Sequence, residues 1–249
     1  MINIRSEEEI ESIRKACRIA AQVLEELMGY IKPGITTKEL DEIGERLIRK
    51  KEAYPAFKGY RGYGFATCIS LNHEVVHGIP SNKKIKEGDI VSLDVGVKLG
   101  RFYGDIARTF AVGEVGKKAK KLLKVSREAL YLGIRQARPG NHLGDVSYAI
   151  QSHAEKNGFS VVRDLFGHGI GEELHEEPLV PNFGNPGEGP ELKPGMVFAI
   201  EPMLNIGKSD IETLSDGWTV VTKDGELSAH FEHTVALTKS GPIILTELN

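Results

Sequence analysis

The chain has 249 residues, is 40% hydrophobic and 27% charged, and carries a formal net charge of -3. That length holds one large domain or two small ones in an ordinary globular composition. A near-neutral balance without long single-sign blocks argues against a nucleic-acid partner, and no run approaches the roughly 18 apolar residues of a membrane span. The N-terminus lacks an apolar signal region, so a cytoplasmic location and no membrane partner are expected. The two cysteines, Cys17 and Cys68, fit no CxxC pattern and are expected as free buried thiols.

Ser6-Glu7-Glu8-Glu9 reads as a capping box, followed by Ile10, Ile13, Cys17, Ala20, Leu24 and Leu27 at helical spacing up to Gly29. Thr36 with Glu39 opens a second helix with Leu40, Ile43, Leu47 and Ile48 inward. Residues 53 to 80 read as loop and short strand, rich in glycine and aromatics. Ile90 to Val97 and Phe102 to Val112 alternate as strands. A two-residue turn at Leu99-Gly100 places Asp94 directly opposite Asp105, where like charges repel unless a cation lies between them. The run Lys117-Lys118-Ala119-Lys120-Lys121 starts a helix that Pro139-Gly140 breaks, and Leu143, Val146, Ile150 and Ala154 mark the next one. After a strand at Phe159 to Val162 come two histidines seven apart, His168 among Gly167, Gly169 and Gly171, and His175 before Glu176-Glu177-Pro178. The glycines allow a sharp bend and a close approach there. Met196 to Glu201, Thr219 to Thr222, Thr234 to Thr238 and Ile243 to Thr246 close the chain as strands.

The chain repeats itself. Ile31-Lys32-Pro33-Gly34 matches Ala137-Arg138-Pro139-Gly140. His77-Gly78-Ile79-Pro80 matches His175-Glu176-Glu177-Pro178. Lys86 to Asp94 matches Lys193 to Glu201. The offsets are 106, 98 and 107 residues. Asp94 and Glu201 are therefore expected in equivalent places, as are His77 and His175, around a pseudo-two-fold axis. The half-domains are expected at roughly 1–112 and 113–249 of a single catalytic domain.

Asp94, Glu201 and Glu232 each sit among Val, Ile, Leu, Phe or Ala. A buried ionised carboxylate needs a partner, and Arg108 is the nearest candidate cation. Four carboxylates (Asp94, Asp105, Glu201, Glu232) with His168 suit a pair of hard or borderline divalent ions, which would activate a water and polarise a substrate carbonyl. No Gly-x-Ser-x-Gly elbow or Ser-His-Asp order competes with that reading. His142 and His153 read as partnerless histidines on a helix surface. His73, His230 and His233 neighbour the motifs and are expected at most behind them.

On Asn72-His73-Glu74-Val75-Val76-His77-Gly78-Ile79-Pro80, Asp94 with Asp105, Gly167 to Gly171, His175 to Pro178, Ile200-Glu201-Pro202-Met203, Asp216-Gly217-Trp218 and Phe231-Glu232-His233-Thr234, the sequence resembles the type I methionine aminopeptidases of bacteria. The resemblance covers nearly the whole chain. It implies the α/β (α+β) pita-bread fold, antiparallel sheet flanked by helices in two related halves. It also implies hydrolytic removal of the initiator methionine from nascent polypeptides whose second residue is small, by a bridging hydroxide between two metals (Co, Mn, Fe or Zn). By the same resemblance Asp94 and Asp105 bind the first metal, His168 and Glu201 the second, and Asp105 and Glu232 bridge. Glu201 is then a proton shuttle, and His77 and His175 contact the substrate amide. Tyr60, Tyr63, Cys68 and Trp218 would form the methionine pocket, with Leu174 and Phe57 beside it. Asn72 and Ser228 would lie at one Na or K ion. A transient ribosome contact and a monomer are further implications. The sequence departs from the family at Leu174, where an aromatic ring is common, and at Phe57, where a cysteine is. The alternatives are a proline-directed relative (prolidase or aminopeptidase P) and a binding module without metals.

Overall fold

The structure is a computed structural model that describes residues 1–248. Its elements are α1 (Glu7–Met28), α2 (Thr37–Lys50), β1 (Tyr54–Pro55), β2 (Cys68–Leu71), β3 (Glu74–Val76), β4 (Ile90–Leu99) and β5 (Phe102–Ala111). Then come α3 (Lys117–Gln136), α4 (Leu143–Lys156), β6 (Ser160–Val161), β7 (Phe166–Gly169), β8 (Glu176–Pro181), β9 (Val197–Ile200) and β10 (Met203–Asn205). β11 (Ile211–Thr213), β12 (Val220–Thr222), β13 (Ser228–His230), β14 (His233–Thr238) and β15 (Gly241–Ile244) complete it. The capping boxes at Ser6 and Thr36 are both formed, each side chain accepting from the third helical N–H and each glutamate reaching back. Their amphipathic stripes face inward, with Ile13, Leu24, Leu27, Leu40 and Ile48 fully buried.

Each half builds one main antiparallel sheet covered by its own helix pair. In the first, β4 pairs β5 on one edge and β1 and β2 on the other. In the second, the order is β15-β14-β9-β7-β8. Of two smaller sheets, β13-β10-β6 belongs wholly to the second half, and β11-β12-β3 pairs strands of both halves. α1 lies directly on β5: Gly104 faces the backbone of Ala16 and Cys17 so closely that a Cβ there would collide with main chain. α3 and α4 cover the second half through Leu122, Leu130, Val146 and Ile150, which cluster with Phe198 and Ile200.

The internal repeat appears bond for bond in the backbone. Gly34 N–H donates to Ile85 O at 2.8 Å, and Gly140 N–H to Leu192 O at 3.0 Å. Ile85 N–H donates back to Ile35 O at 2.9 Å, and Leu192 N–H to Asn141 O at 2.8 Å. Both glycines take a left-handed φ, +98° and +90°, which accounts for a Pro-Gly turn in each half. The shorter offset at the histidines is also structural. Leu71 opposite Val91 and Gly169 opposite Phe198 are equivalent pairs, 98 residues apart on the outer strand and 107 on the inner. His77 and His175 keep the 98-residue spacing of those outer strands.

The halves are sewn together along the edge of β5 that β4 leaves free. Thr109 Oγ1 donates to His230 O at 2.8 Å and accepts from His230 N–H at 2.9 Å. Glu232 N–H donates to Ala107 O at 2.8 Å. Thr234 Oγ1 donates to Asp105 O at 2.8 Å and accepts from Asp105 N–H at 3.2 Å. Residues 105, 107 and 109 share one face of a strand, so this seam brings Glu232 beside Asp105.

Two expectations fail here. The hairpin turns at Gly100-Arg101, because Gly100 takes φ +59° at the first turn position. Asp94 therefore pairs with Ala107 and Asp105 with Gly96. The two acids are diagonal neighbours on one face, with Cα atoms about 7–8 Å apart for such a pair, rather than directly opposite. Arg108 points to the other face and pairs with Glu25 at 2.6 Å, and among the described residues no Lys or Arg forms an ion pair with the four acids.

Candidate active site

Asp94, Asp105, His168 and Glu232 are buried, and the Glu201 side chain is 13% exposed. β4 and β5 deliver the two aspartates. The segment after β9 carries Glu201, and the one before β14 carries Glu232. His168 comes from β7, where the strand bulges between His168 and Gly169. Gly167, Gly169 and Gly171 all lie outside the left-handed φ region, so they are not a sharp bend. They admit close neighbours instead: a Cβ on Gly167 would strike Ala199 O, one on Gly169 Glu177 O, and one on Gly171 the Arg5 guanidinium.

His168 Nδ1–H donates to Gly169 O at 3.0 Å, since a carbonyl only accepts. That fixes the tautomer and leaves the Nε2 lone pair free, 3.7 Å from Glu201 Oε1. On its other side Glu201 Oε2 lies 3.2 Å from His230 Nε2. Single donor atoms of Asp105, His168 and Glu232 all fall within 4.8 Å of one another. Asp94 Oδ1 and Glu232 Oε1 are buried with no hydrogen-bond partner. Burial and then mutual repulsion raise the carboxyls of Asp94, Asp105 and Glu232 above the usual range, and burial raises that of Glu201. Converging oxygens, one aimed imidazole and no protein cation form a donor set that fits divalent metal.

These shifts give a pH signature for the metal-free protein. A carboxyl with a raised folded-state pKa keeps a proton that the unfolded chain has already released, so stability falls as pH rises towards the folded value. Asp105 is raised to about 8 and Glu201 to about 7. Buried histidines act oppositely: His77 is lowered to about 4 and His230 to about 3 by desolvation. Their effect is confined to pH below ~6.5, where the unfolded imidazole gains its proton. Acids held low, such as Asp216 and Asp224, are ionised in both states above about pH 5. Between about pH 6.5 and 8 the acid cluster dominates. Urea midpoints of chelator-treated protein should fall across that interval, and added divalent metal should reverse the trend.

The acids form one wall of a cavity of about 350 Å³ that also holds His77, His175, Tyr60, Tyr63, Cys68, Leu174, Trp218 and Phe57. A larger open groove of about 1130 Å³ runs along α3, but of the four acids and His168 it touches only Glu232. In the cavity, Tyr63 O–H donates to Thr67 O at 3.0 Å, and its ring meets Trp218 edge-on with centroids 5.0 Å apart. Asp216 fixes Trp218 by accepting from the N–H groups of Trp218 and Thr219, both at 2.8 Å. Phe57 occupies the space that a side chain at Gly96 would need. Leu174 and Cys68 are buried, and burial pushes the Cys68 thiol well above its ordinary value.

His77 leaves β3 with φ +57°, strained for a residue with a Cβ and held by its neighbour Gly78, which packs on the Ile69 carbonyl. His175 is exposed at the mouth, its Nδ1 2.7 Å from the Tyr60 hydroxyl and its ring 4.2 Å from that of His168. Leu165, Phe166 and Leu179 also line the cavity and were not anticipated. Phe166 was within reach, because it shares a strand face with His168 two residues on.

Two of the remaining histidines differ from expectation. His142 is the residue before α4 and not on it; its N–H donates to Asp145 Oδ2 at 2.7 Å. His153 has a partner, Glu128, at 3.0 Å. His233 lies within hydrogen-bond distance of Tyr131 and Thr246. Asn72 and Ser228 do meet: Ser228 N–H donates to Asn72 O at 2.9 Å. Asn72 takes φ +57°. Cys17 and Cys68 are free thiols, as anticipated. No helix among the described residues is long and apolar enough to cross a membrane.

The model of metallopeptidase family M24 matches residues 11–239. Methionine aminopeptidase 1 of Bacillus subtilis (strain 168) is 52% identical over 248 residues, covering 100% of both chains. The crystal structure of methionine aminopeptidase from Thermotoga maritima superposes with a TM-score of 0.98 at 48% identity, covering 100% of each chain. Further away, prolidase from Pyrococcus furiosus gives a TM-score of 0.82 at 28% identity, covering 99% of this chain and 66% of that one. The pita-bread fold thus has its counterpart in known peptidases, and this chain belongs to metallopeptidase family M24, with the bacterial type I methionine aminopeptidases.

Proposed function

We propose that this enzyme removes the initiator methionine from nascent polypeptides with a small second residue, by two-metal hydrolysis in the cavity between the halves. The observation that carries the reading is the set of buried, cation-free acids opening onto an apolar cavity, in a chain 52% identical end to end to a methionine aminopeptidase. Asp94 and Asp105 would hold one ion, His168 and Glu201 the other, and Asp105 and Glu232 both. Mn, Co, Fe and Zn all suit the set. When bound, such a pair lowers the pKa of a water towards neutrality and polarises a carbonyl.

The chain's own groups do the rest. Tyr63, Trp218, Cys68, Leu174, Tyr60 and Phe57 enclose the apolar methionine side chain and exclude water around the reacting amide. Glu201, flanked by His168 and His230, receives and returns the proton. Burial lowers His77 to about 4, so it meets the amide as a neutral imidazole, and His175, with its ring edge open at the cavity mouth, is lowered by partial desolvation against the cavity wall and then by neighbouring His168. Each such contact is worth roughly 10²–10³ in rate. One Na or K ion at Asn72 and Ser228, a cytoplasmic location, a transient ribosome contact and a monomeric state complete the reading. So does a single catalytic domain with halves at roughly 1–112 and 113–249.

Cleavage of Met-Ala-Ser against a Gly-Pro peptide separates this from the proline-directed relatives. Release of methionine with no cleavage before proline is expected. Preferential cleavage of the proline peptide would reverse the assignment.

A further inference from the structure

Glu176 belongs to the His175-Glu176-Glu177-Pro178 motif, yet the chemistry above leaves it without a task. Its carboxylate is held by more donors than any ligand acid. Arg5 Nη2 donates to Oε1 at 2.6 Å and to Oε2 at 2.7 Å, and Asn3 Nδ2 donates to Oε2 at 2.8 Å. The N–H groups of Glu172 and Glu173 donate to Oε1 at 2.8 and 3.0 Å. Both partners of the ion pair are 9% exposed as side chains. The Arg5 guanidinium lies against Gly171, where any side chain would strike it. Gly171 in turn anchors the loop to β5, its carbonyl accepting from Tyr103 N–H at 2.9 Å.

The loop from Gly171 to Glu176 therefore has both ends pinned, and His175 is the residue just before the second pin. His175 itself is exposed, with the Tyr60 hydroxyl as its hydrogen-bond neighbour. An imidazole on a free loop would wander by an ångström or more, and misplacement of that size costs about 10²-fold in rate. A buried, multiply donated carboxylate beside it removes that freedom.

We propose that Asn3 and Arg5, from the segment preceding α1, act through Glu176 as positioning residues for His175. The proposal rests on the reading of His175 as a substrate contact. The partners stand 171 residues apart in the sequence, so the start of the chain reaches across to set the geometry of the site.

A double-mutant cycle in metal-loaded enzyme tests it, with Arg5→Ala, His175→Ala and the combination assayed on Met-Ala-Ser. Thermal melts and calorimetric Mn binding read folding and metal affinity apart from turnover. Arg5→Ala should lower kcat roughly tenfold with KM within about threefold and Mn affinity unchanged. In the His175→Ala background the same change should alter kcat by less than about twofold, because the group being positioned is gone. Arg5→Lys, which keeps the charge but loses the planar guanidinium packed against Gly171, should fall between. If Arg5→Ala does not fold, Arg5→Lys and Asn3→Ala carry the same cycle. Normal kcat in the clamp variants, or an equal loss in both backgrounds, overturns the positioning role. A normal kcat in His175→Ala alone overturns the reading of His175 beneath it.

Discussion

Asp105→Ala should abolish methionine release, by at least ~10³-fold in kcat/KM or ~4 kcal/mol of transition-state stabilisation, while the chain still folds. The backbone of Asp105 makes the seam to Thr234, and alanine keeps that backbone. The side chain does something else: its oxygen stands within 4.8 Å of donor atoms from both His168 and Glu232. Without it the donor set loses one of its two shared ligands, and Glu232 alone would connect the two metal positions. The metal-free variant should melt at or above the temperature of the metal-free parent at pH 8, because a repelled, desolvated carboxyl has been removed. Added Mn should stabilise the parent far more than the variant. Near-normal turnover in this variant would sink the two-metal reading.

Glu201→Gln should separate chemistry from binding. The amide matches the carboxylate in shape, still reaches towards His168 and His230, and cannot accept a proton at neutral pH. kcat should fall by about 10²–10⁴, the range of a general acid–base group, with KM within about threefold. Unchanged kcat with a raised KM would assign Glu201 to substrate binding alone.

The sequence made the architecture readable because the repeat is written in turn residues. A Pro-Gly corner needs its left-handed glycine in each half, at Gly34 and Gly140, and selection of that backbone leaves a visible mark. The capping boxes at Ser6 and Thr36 were readable for the same local reason. The hairpin register was misread because Gly100 can serve either turn position, and only the φ of the folded chain decides. Strands of three residues, such as β3, β10, β11 and β13, show no alternation long enough to detect. The glycines around His168 were recognised as special but for the wrong geometry, since what approaches them is Ala199, Glu177 and Arg5. Long-range polar partners were the least readable. Nothing in the sequence ties Arg5 to Glu176 or Glu201 to His230, because those pairings depend on how two sheets and a terminal segment meet.

The central claim is that a divalent metal held by these acids drives methionine release. The most direct measurement is hydrolysis of Met-Ala-Ser by chelator-treated enzyme, before and after adding Mn or Co. No release after chelation, followed by release of methionine alone on addition of metal, is the predicted result. Release that persists unchanged after complete chelation, or none with Mn, Co, Fe or Zn, would contradict it.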